Sequence, residues 1–305
     1  MADSVVAAEL DGIHSHGLFR LPTYADHTSI GKVDGKAVPK VAQVAAAALS
    51  VDAMNGFAHP AIAAGLGRLV PLTREAAAAA MGVTRSYNCG IVGYHVERLA
   101  TEGLVGIAFV NSPASMAPWG GVERVFGTNP LAFACPRPDG RPPMVIDQAS
   151  SKVARSDILV AAKEGRPVPE GWALDTEGNP TTDAEAAVAG TVLPYGDHKG
   201  AAIALMVEIM AAGLTGANFS RQAPPFVTNE GGPPGTGQFF IALDPAAFGG
   251  ADALGRIEAL FQAILAQEGT RLPGDKRHAA RARIRAEGIA IDPALHDDLI
   301  RRSRV

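Results

Sequence analysis

The chain is poor in cysteine, has no strong excess of either charge, and holds no long uninterrupted apolar run. Only Cys89 and Cys135 occur among 305 residues. Two thiols cannot staple a chain of this size, so a reducing, cytoplasmic setting is expected. Basic residues number 27 and acidic residues 31, for a formal net charge of -4. A nucleic-acid binder shows a clear basic excess, and this balance argues against one. The longest apolar stretch, Ala201 to Leu214, is interrupted by Glu208. A bilayer span needs about 20 apolar residues, so the stretch reads as a buried helix and no membrane partner is expected. The opening MADSVVAAELDGIHSHG carries acid where a secretion signal needs base. Glycine (34) and proline (22) follow no period, which removes collagen-like and low-complexity chains. No internal repeat is present. No GxGxxG follows an expected strand, so the Rossmann fingerprint is missing.

Hydrophobic residues make up 47% and charged residues 19%, enough for a large core. The length fits one large domain or two ordinary ones. Residues 2–10 have helical composition, whereas Gly12 to Tyr24 is too rich in His, Gly and Pro to be one element. Pro60 to Ala80 predicts a helix with Pro60 in its first turn. Short apolar runs bounded by turn formers, Gly106–Val110, Met144–Ile146 and Phe239–Leu243, predict strands. TEGNP at 176–180 is a turn by composition. Lys199 to Thr215 predicts a buried helix, Arg221 to Gly237 a loop, and Asp252 to Gln267 an amphipathic helix. The basic run KRHAARARIRAEG from Lys276 reads as a solvated helix face.

Four places could carry chemistry. In His14-Ser15-His16-Gly17 two His at i and i+2 share a face if the segment is extended, which would suit a metal, but no third ligand lies at useful spacing. Ser15 beside a His lacks the GxSxG elbow of a nucleophile. The third reading of this segment is acid–base work by His16 near an anion held by the planar fork of Arg20, set against a loop whose His is merely satisfied. Phe126-Gly127-Thr128-Asn129-Pro130 is either a turn before a strand or a polar cradle for a carboxylate. Ile146-Asp147-Gln148-Ala149-Ser150-Ser151 places small polar groups at the end of a strand, where sites are commonly built. Pro194 to Gly200 opens a helix, and its backbone N–H groups with Lys199 suit a phosphate. Composition and spacing lead to an enzyme that binds a small anion and a phosphorylated cofactor.

The segments GIHSHGLFRLPTY, FGTNPLAFACP, VIDQASS, LPYGDHKGAA and RLPGD, in this order, resemble the malate/L-lactate dehydrogenase family of non-Rossmann NAD(P)-dependent oxidoreductases. YADHTSIGKVDGKAVP and PVPEGWALDTEGNPTTD are most similar to its (R)-sulfolactate dehydrogenase branch. The resemblance implies an α/β fold with a large, mainly antiparallel sheet, a homodimer, a cofactor that is NAD or NADP, and no metal. Residues 1–60 and 246–305 would form a helical substrate and dimerisation part, and 61–245 the cofactor-binding and catalytic part. His16 takes the place of the family's acid–base, with Ser15 beside it. Arg20 and Thr128 fall on its substrate-carboxylate contacts, and Tyr24 joins them. Cofactor contacts fall on Asp147, Gln148, Ala149, Lys199, Pro273, Gly274 and Asp275, to which Asn88, Cys89, Gly90 and Arg155 are added.

The chain departs from the family pattern in two places. Relatives begin with about one more helical hairpin ahead of the position of Met1. Many hydroxyacid members carry a second His where this chain has Asn88, which can donate a hydrogen bond but cannot transfer a proton at neutral pH. Asp157 stands where the imine-reductase branch pairs an Asp with the acid–base His; the alternative is a helix N-cap. The leading expectation is hydride transfer to or from C2 of a small 2-oxo/2-hydroxy acid such as malate, lactate or sulfolactate. Reduction of cyclic 2-imino acids (Δ1-piperideine-2-carboxylate or Δ1-pyrroline-2-carboxylate) is the first alternative, and a cofactor-binding but weakly active homologue the second.

Overall fold

In chain order the computed structural model, which describes residues 1–304, begins with helix α1 (Ala2–Leu10). Two single turns of 3-10 helix, His14–His16 and Leu18–Arg20, then run into α2 (Leu21–Ser29). A hairpin of β1 (Lys40–Ala45) and β2 (Ala48–Asp52) leads through α3 (Ala58–Ala76) to β3 (Ala78–Ser86). Next come α4 (Val92–Thr101), β4 (Val105–Val110), β5 (Leu131–Cys135), β6 (Met144–Gln148) and α5 (Arg155–Lys163). Three two-residue strands, β7 (Ala173–Leu174), β8 (Pro180–Thr181) and β9 (Thr191–Val192), form a small sheet beside α6 (Ala184–Ala189). Helix α7 (His198–Glu208) passes into a π-helical turn, Ile209–Gly213. The chain finishes with β10 (Thr236–Leu243), α8 (Pro245–Gly249), α9 (Ala253–Leu265), α10 (Asp275–Glu287) and α11 (Pro293–Arg302).

The main sheet has seven strands in the order β1-β2-β3-β10-β4-β5-β6. Every neighbouring pair is antiparallel except β2 and β3. The exception follows from α3, which crosses between those two strands, as a parallel pair requires. This is the large, mainly antiparallel, non-Rossmann α/β arrangement that was expected. Helices α3 and α4 cover one face: Ile62, Leu66, Leu69, Val96 and Leu99 pack on Val51, Met81, Val83, Ala108 and Phe240. Each such side chain removed from water stabilises the fold by about 1.5–3 kcal/mol. On the other face Val207 and Ala211, from α7 and the π turn, meet Phe109. Strands β1 and β2, which precede residue 60, complete the same sheet as the strands after it.

Two expectations need correction. Ala78, Ala79 and Ala80 open β3 rather than close a helix, and β3 lies between β2 and β10. Ala77, at φ 65 and ψ -29, turns the chain out of α3, and central-sheet pairing overrides alanine's helix preference. The basic run of α10 is not wholly solvated. Arg281 donates to Asp11 Oδ1 at 2.7 Å and Glu97 Oε1 at 2.6 Å, and Arg277 reaches Asp147 and Asp11. Tertiary acids from α1, α4 and β6 turn that face inward, which sequence spacing cannot show.

Candidate active site

The His16 segment is shaped by a glutamate that sequence reasoning missed. Glu9, in the last turn of α1, is 4% exposed. Its Oε1 accepts the Leu18 N–H at 2.6 Å and its Oε2 pairs with His14 Nδ1 at 2.5 Å. A Cβ on Gly17 would lie 2.1 Å from Glu9 Oε1, so only glycine permits this approach. The segment is 3-10 helical, not extended, and i and i+2 positions of a three-residue turn point apart. The shared metal face expected of His14 and His16 is therefore absent: His14 is exposed on Glu9, and His16 is half-buried against Ser15.

His16 Nδ1 lies 3.0 Å from Ser15 Oγ, and Arg20 Nε donates to the Ser15 carbonyl at 2.8 Å. The Nη groups of Arg20 have no protein acceptor among the described residues, so the outer edge of its fork is free for a carboxylate. Burial first, then the Arg20 charge, lowers the His16 pKa to about 4, with the Asp147 carboxylate opposing them. His16 is thus a neutral imidazole at physiological pH, close enough to Arg20 and Asp147 to feel both charges.

Tyr24 Oη donates to Asn88 Oδ1 at 2.9 Å, and the Gly90 N–H donates to the same oxygen at 2.9 Å. Asn88 thereby shapes the turn in which Gly90 holds φ 70. Cys89 is buried, its thiol pushed up to about 12 by burial and the Asp147 charge, so it serves packing rather than reactivity. Its carbonyl pairs with His95 Nε2 at 2.9 Å. His95 and His59 stand behind this turn with ring centroids 6.0 Å apart. Burial lowers the His95 pKa to about 4 and that of His59 well below its ordinary value.

Asp147, at the end of β6, accepts the Gly93 N–H at 2.8 Å and an Arg277 Nη2 hydrogen bond at 3.0 Å. Beside it lies a cavity of about 360 Å³ that joins two distant motifs: Asp147 and Gln148 on one wall, Pro273, Gly274, Lys276 and Arg277 on the other. Gly274 holds φ 94 against the Val145 backbone, and Val145 N–H donates to Pro273 O at 3.1 Å. Asp275 spends its carboxylate on the Leu272 N–H at 2.8 Å, fixing the turn. Arg277 Nη1 is a buried donor with no acceptor among the described residues. An anionic, phosphorylated cofactor fits this donor and the neighbouring Lys276. Arg277 and Gly93 escaped sequence reasoning; a cation two residues past the PGD turn was the available signal.

The remaining residues spread around this centre. Thr128 O accepts the Ser150 N–H at 2.7 Å, which joins the GTNP turn to the end of β6, with half-buried Ala149 between Gln148 and Ser150. Lys199 is exposed in the first turn of α7. Arg155 donates to Val188 O at 3.1 Å near Arg124; burial and the Arg124 charge lower its pKa to about 10. Asp157 is exposed in the first turn of α5, whose N-cap is Ala154. It makes no hydrogen bond to His16 among the described residues and is not the cap.

The sequence profile described as malate/L-lactate dehydrogenase matches residues 1–300. The (2R)-3-sulfolactate dehydrogenase (NADP(+)) of Chromohalobacter salexigens is 51% identical over 98% of this chain and 88% of its own length. Delta(1)-pyrroline-2-carboxylate reductase 2 of Burkholderia multivorans is 43% identical over 98% of this chain and 88% of its own. The crystal structure of delta1-piperideine-2-carboxylate reductase from Pseudomonas syringae superposes with a TM-score of 0.91 at 42% identity, covering 97% of this chain and 89% of that one. With its ordered site motifs, its mainly antiparallel sheet and a family match over nearly its whole length, this chain belongs to the malate/L-lactate dehydrogenase family.

Proposed function

We propose that the protein is an NADP(H)- or NAD(H)-dependent oxidoreductase that moves a hydride to or from C2 of a small 2-oxo/2-hydroxy acid, with 3-sulfolactate and sulfopyruvate as the leading pair. The observation that carries this is a half-buried, neutral His16 beside an Arg20 whose Nη edge is unpaired among the described residues, with Asp147, whose charge acts on His16, lining the neighbouring cavity. The relative at 51% identity bears the sulfolactate name. When bound, the nicotinamide cofactor supplies or accepts the hydride.

The chain's own residues handle the acid group and the proton. Arg20, anchored through Nε, presents its free Nη edge to the substrate carboxylate, and Thr128 completes the grip. That carboxylate offsets the Arg20 charge, one of the causes holding the His16 pKa low. With that charge offset, burial alone opposes the Asp147 field, so oxo-acid binding moves His16 toward its protonated form, and the proton passes to the carbonyl oxygen as the hydride arrives. Ser15 Oγ serves both states, donating to neutral Nδ1 and accepting from the imidazolium. In the reverse direction neutral His16 takes the hydroxyl proton.

Asn88 supports a second reading, reduction of a cyclic 2-imino acid. A protonated imine brings its own proton and depends less on an imidazole whose pKa is about 4. The assay that decides follows NADPH and NADH oxidation with sulfopyruvate, oxaloacetate, pyruvate and Δ1-pyrroline-2-carboxylate. Sulfopyruvate is expected to give the highest kcat/KM. A higher value for the imino acid would install the second reading, and no turnover of any of them would reject both.

We also assign the enzyme to the cytoplasm as a homodimer that does not bind nucleic acid. Both cysteines are free and buried, and the net charge is -4. No helix among the described residues is long and apolar enough to cross a membrane. Leu205, Met206, Ile209 and Leu214 leave an exposed apolar strip along α7 and the turn after it, which supports pairing with a second copy.

A further inference from the structure

Glu208, the residue that interrupts the apolar run, is 4% exposed at the junction of α7 with the π turn. No cation pairs with it among the described residues. Three neutral donors converge instead: Asn129 Nδ2 at 2.7 Å and Ser220 Oγ at 2.6 Å on Oε2, and the Ser220 backbone N–H at 2.5 Å on Oε1. Asn129 Nδ2 also donates to Ala204 O at 3.0 Å, one turn earlier in the same helix. Asn129 is wholly buried and holds φ 38, in the left-handed region that a non-glycine residue keeps only when its surroundings impose it. From the opposite side Ser150 Oγ donates to Asn129 O at 2.7 Å, beside the Ser150–Thr128 backbone bond.

We infer that Glu208 is the positioning residue of the substrate turn: through Asn129 it fixes where Thr128 stands, and it ties that turn to the helix that begins at His198. The inference rests on the reading that Thr128 touches the substrate carboxylate. A buried charge is costly, and an apolar side chain would pack this helix with less loss. What the carboxylate adds is geometry, because it alone offers acceptors to all three donors and brings none of its own. The π turn that follows is a rare insertion of the kind that recurs near functional sites.

The test compares Glu208→Gln, Ser220→Ala and Thr128→Ala in steady state with NADPH and sulfopyruvate, or Δ1-pyrroline-2-carboxylate if the panel selects it. NADPH affinity is read separately by fluorescence. Glu208→Gln is expected to raise the acid's KM about tenfold while kcat falls less than about threefold and NADPH Kd stays within about twofold. Ser220→Ala keeps the carboxylate and should raise KM by about two- to threefold, which decides the matter if Glu208→Gln does not fold. Unchanged KM in the folded variants while Thr128→Ala raises it would overturn the inference, as would KM and NADPH Kd rising by the same factor. Unchanged KM in Thr128→Ala would instead remove the reading beneath it.

Discussion

Two buried glutamates, Glu9 and Glu208, hold the two segments assigned above to proton and substrate, the two walls of the proposed site, and they do so differently. Each is 4% exposed and each staples irregular backbone next to a residue assigned to substrate. Glu9 holds a pair of 3-10 turns through the Leu18 N–H and an exposed histidine, and the neighbouring group is His16, the proposed proton carrier. Glu208 holds a strained asparagine through neutral donors alone, and the group it serves is Thr128. Neither wall is a regular element, so neither can rely on helix or strand hydrogen bonds for precision. A carboxylate taken out of water supplies it, at a desolvation cost that the converging donors offset.

The comparison breaks most severely at its first wall. His16→Ala is expected to lower kcat by roughly 10²–10⁴-fold with cofactor affinity retained; turnover like that of the unmodified enzyme would show that another group moves the proton. Glu9→Gln should come next, lowering kcat about tenfold as the Leu18 and Gly17 backbone loosens, with the acid's KM nearly constant. Glu208→Gln has the opposite signature, so equal effects of both variants on kcat and KM would erase the distinction between the walls.

Acidity sharpens the contrast because the buried histidines stand around the first wall. His16 and His95 are held at about 4 against 6.5 in the unfolded chain. As pH falls through 6.5 the unfolded chain binds protons that the folded one refuses, so stability is lost progressively down to about 4 and is fully present above 6.5. For His95 alone the shift from 6.5 to about 4 amounts to about 3 kcal/mol. Tm followed by calorimetry across that window should fall steeply, and less steeply in His95→Gln; parallel curves would mean that carboxylates carry the whole loss. The smallest effect belongs to Asp157, which touches neither wall. Asp157→Asn should leave rate and pH profile within about twofold, and a pH optimum displaced downward would reveal a link to His16 that this chain's geometry lacks.

What the sequence made legible follows a physical rule. His16, Arg20 and Thr128 stood out because each sits in a short polar cluster that no core needs, and Asp147 was recognisable for the same reason, whereas the PGD turn was legible only through the family resemblance. His59, His95, Glu208 and Arg277 did not stand out, since what surrounds them lies far away in sequence, and Glu9 was hidden inside a helix of ordinary composition. Arg277 looked like part of a solvated basic face until β6 and α1 supplied carboxylates. The sheet was legible in β4, β6 and β10, whose apolar runs are strand-like on their own. It was not legible at Ala78–Ala80, where alanine's helix preference gave way to the pairing of β3 with β2 and β10.

The ion pairs of α10 also set a timetable. Arg281 meets Asp11 across 270 positions of sequence, and Arg277 meets Asp147 across 130. During synthesis at about 5–20 residues per second, α1 and the adjoining His16 turns leave the ribosome some tens of seconds before their partners exist. The His16 turns, though made well before α10, are tied to it only once Arg281 has been made. A stalled or clipped nascent chain would therefore carry most of its sheet and none of its chemistry, an interval in which α1 is open to chaperones and to mispairing with another copy.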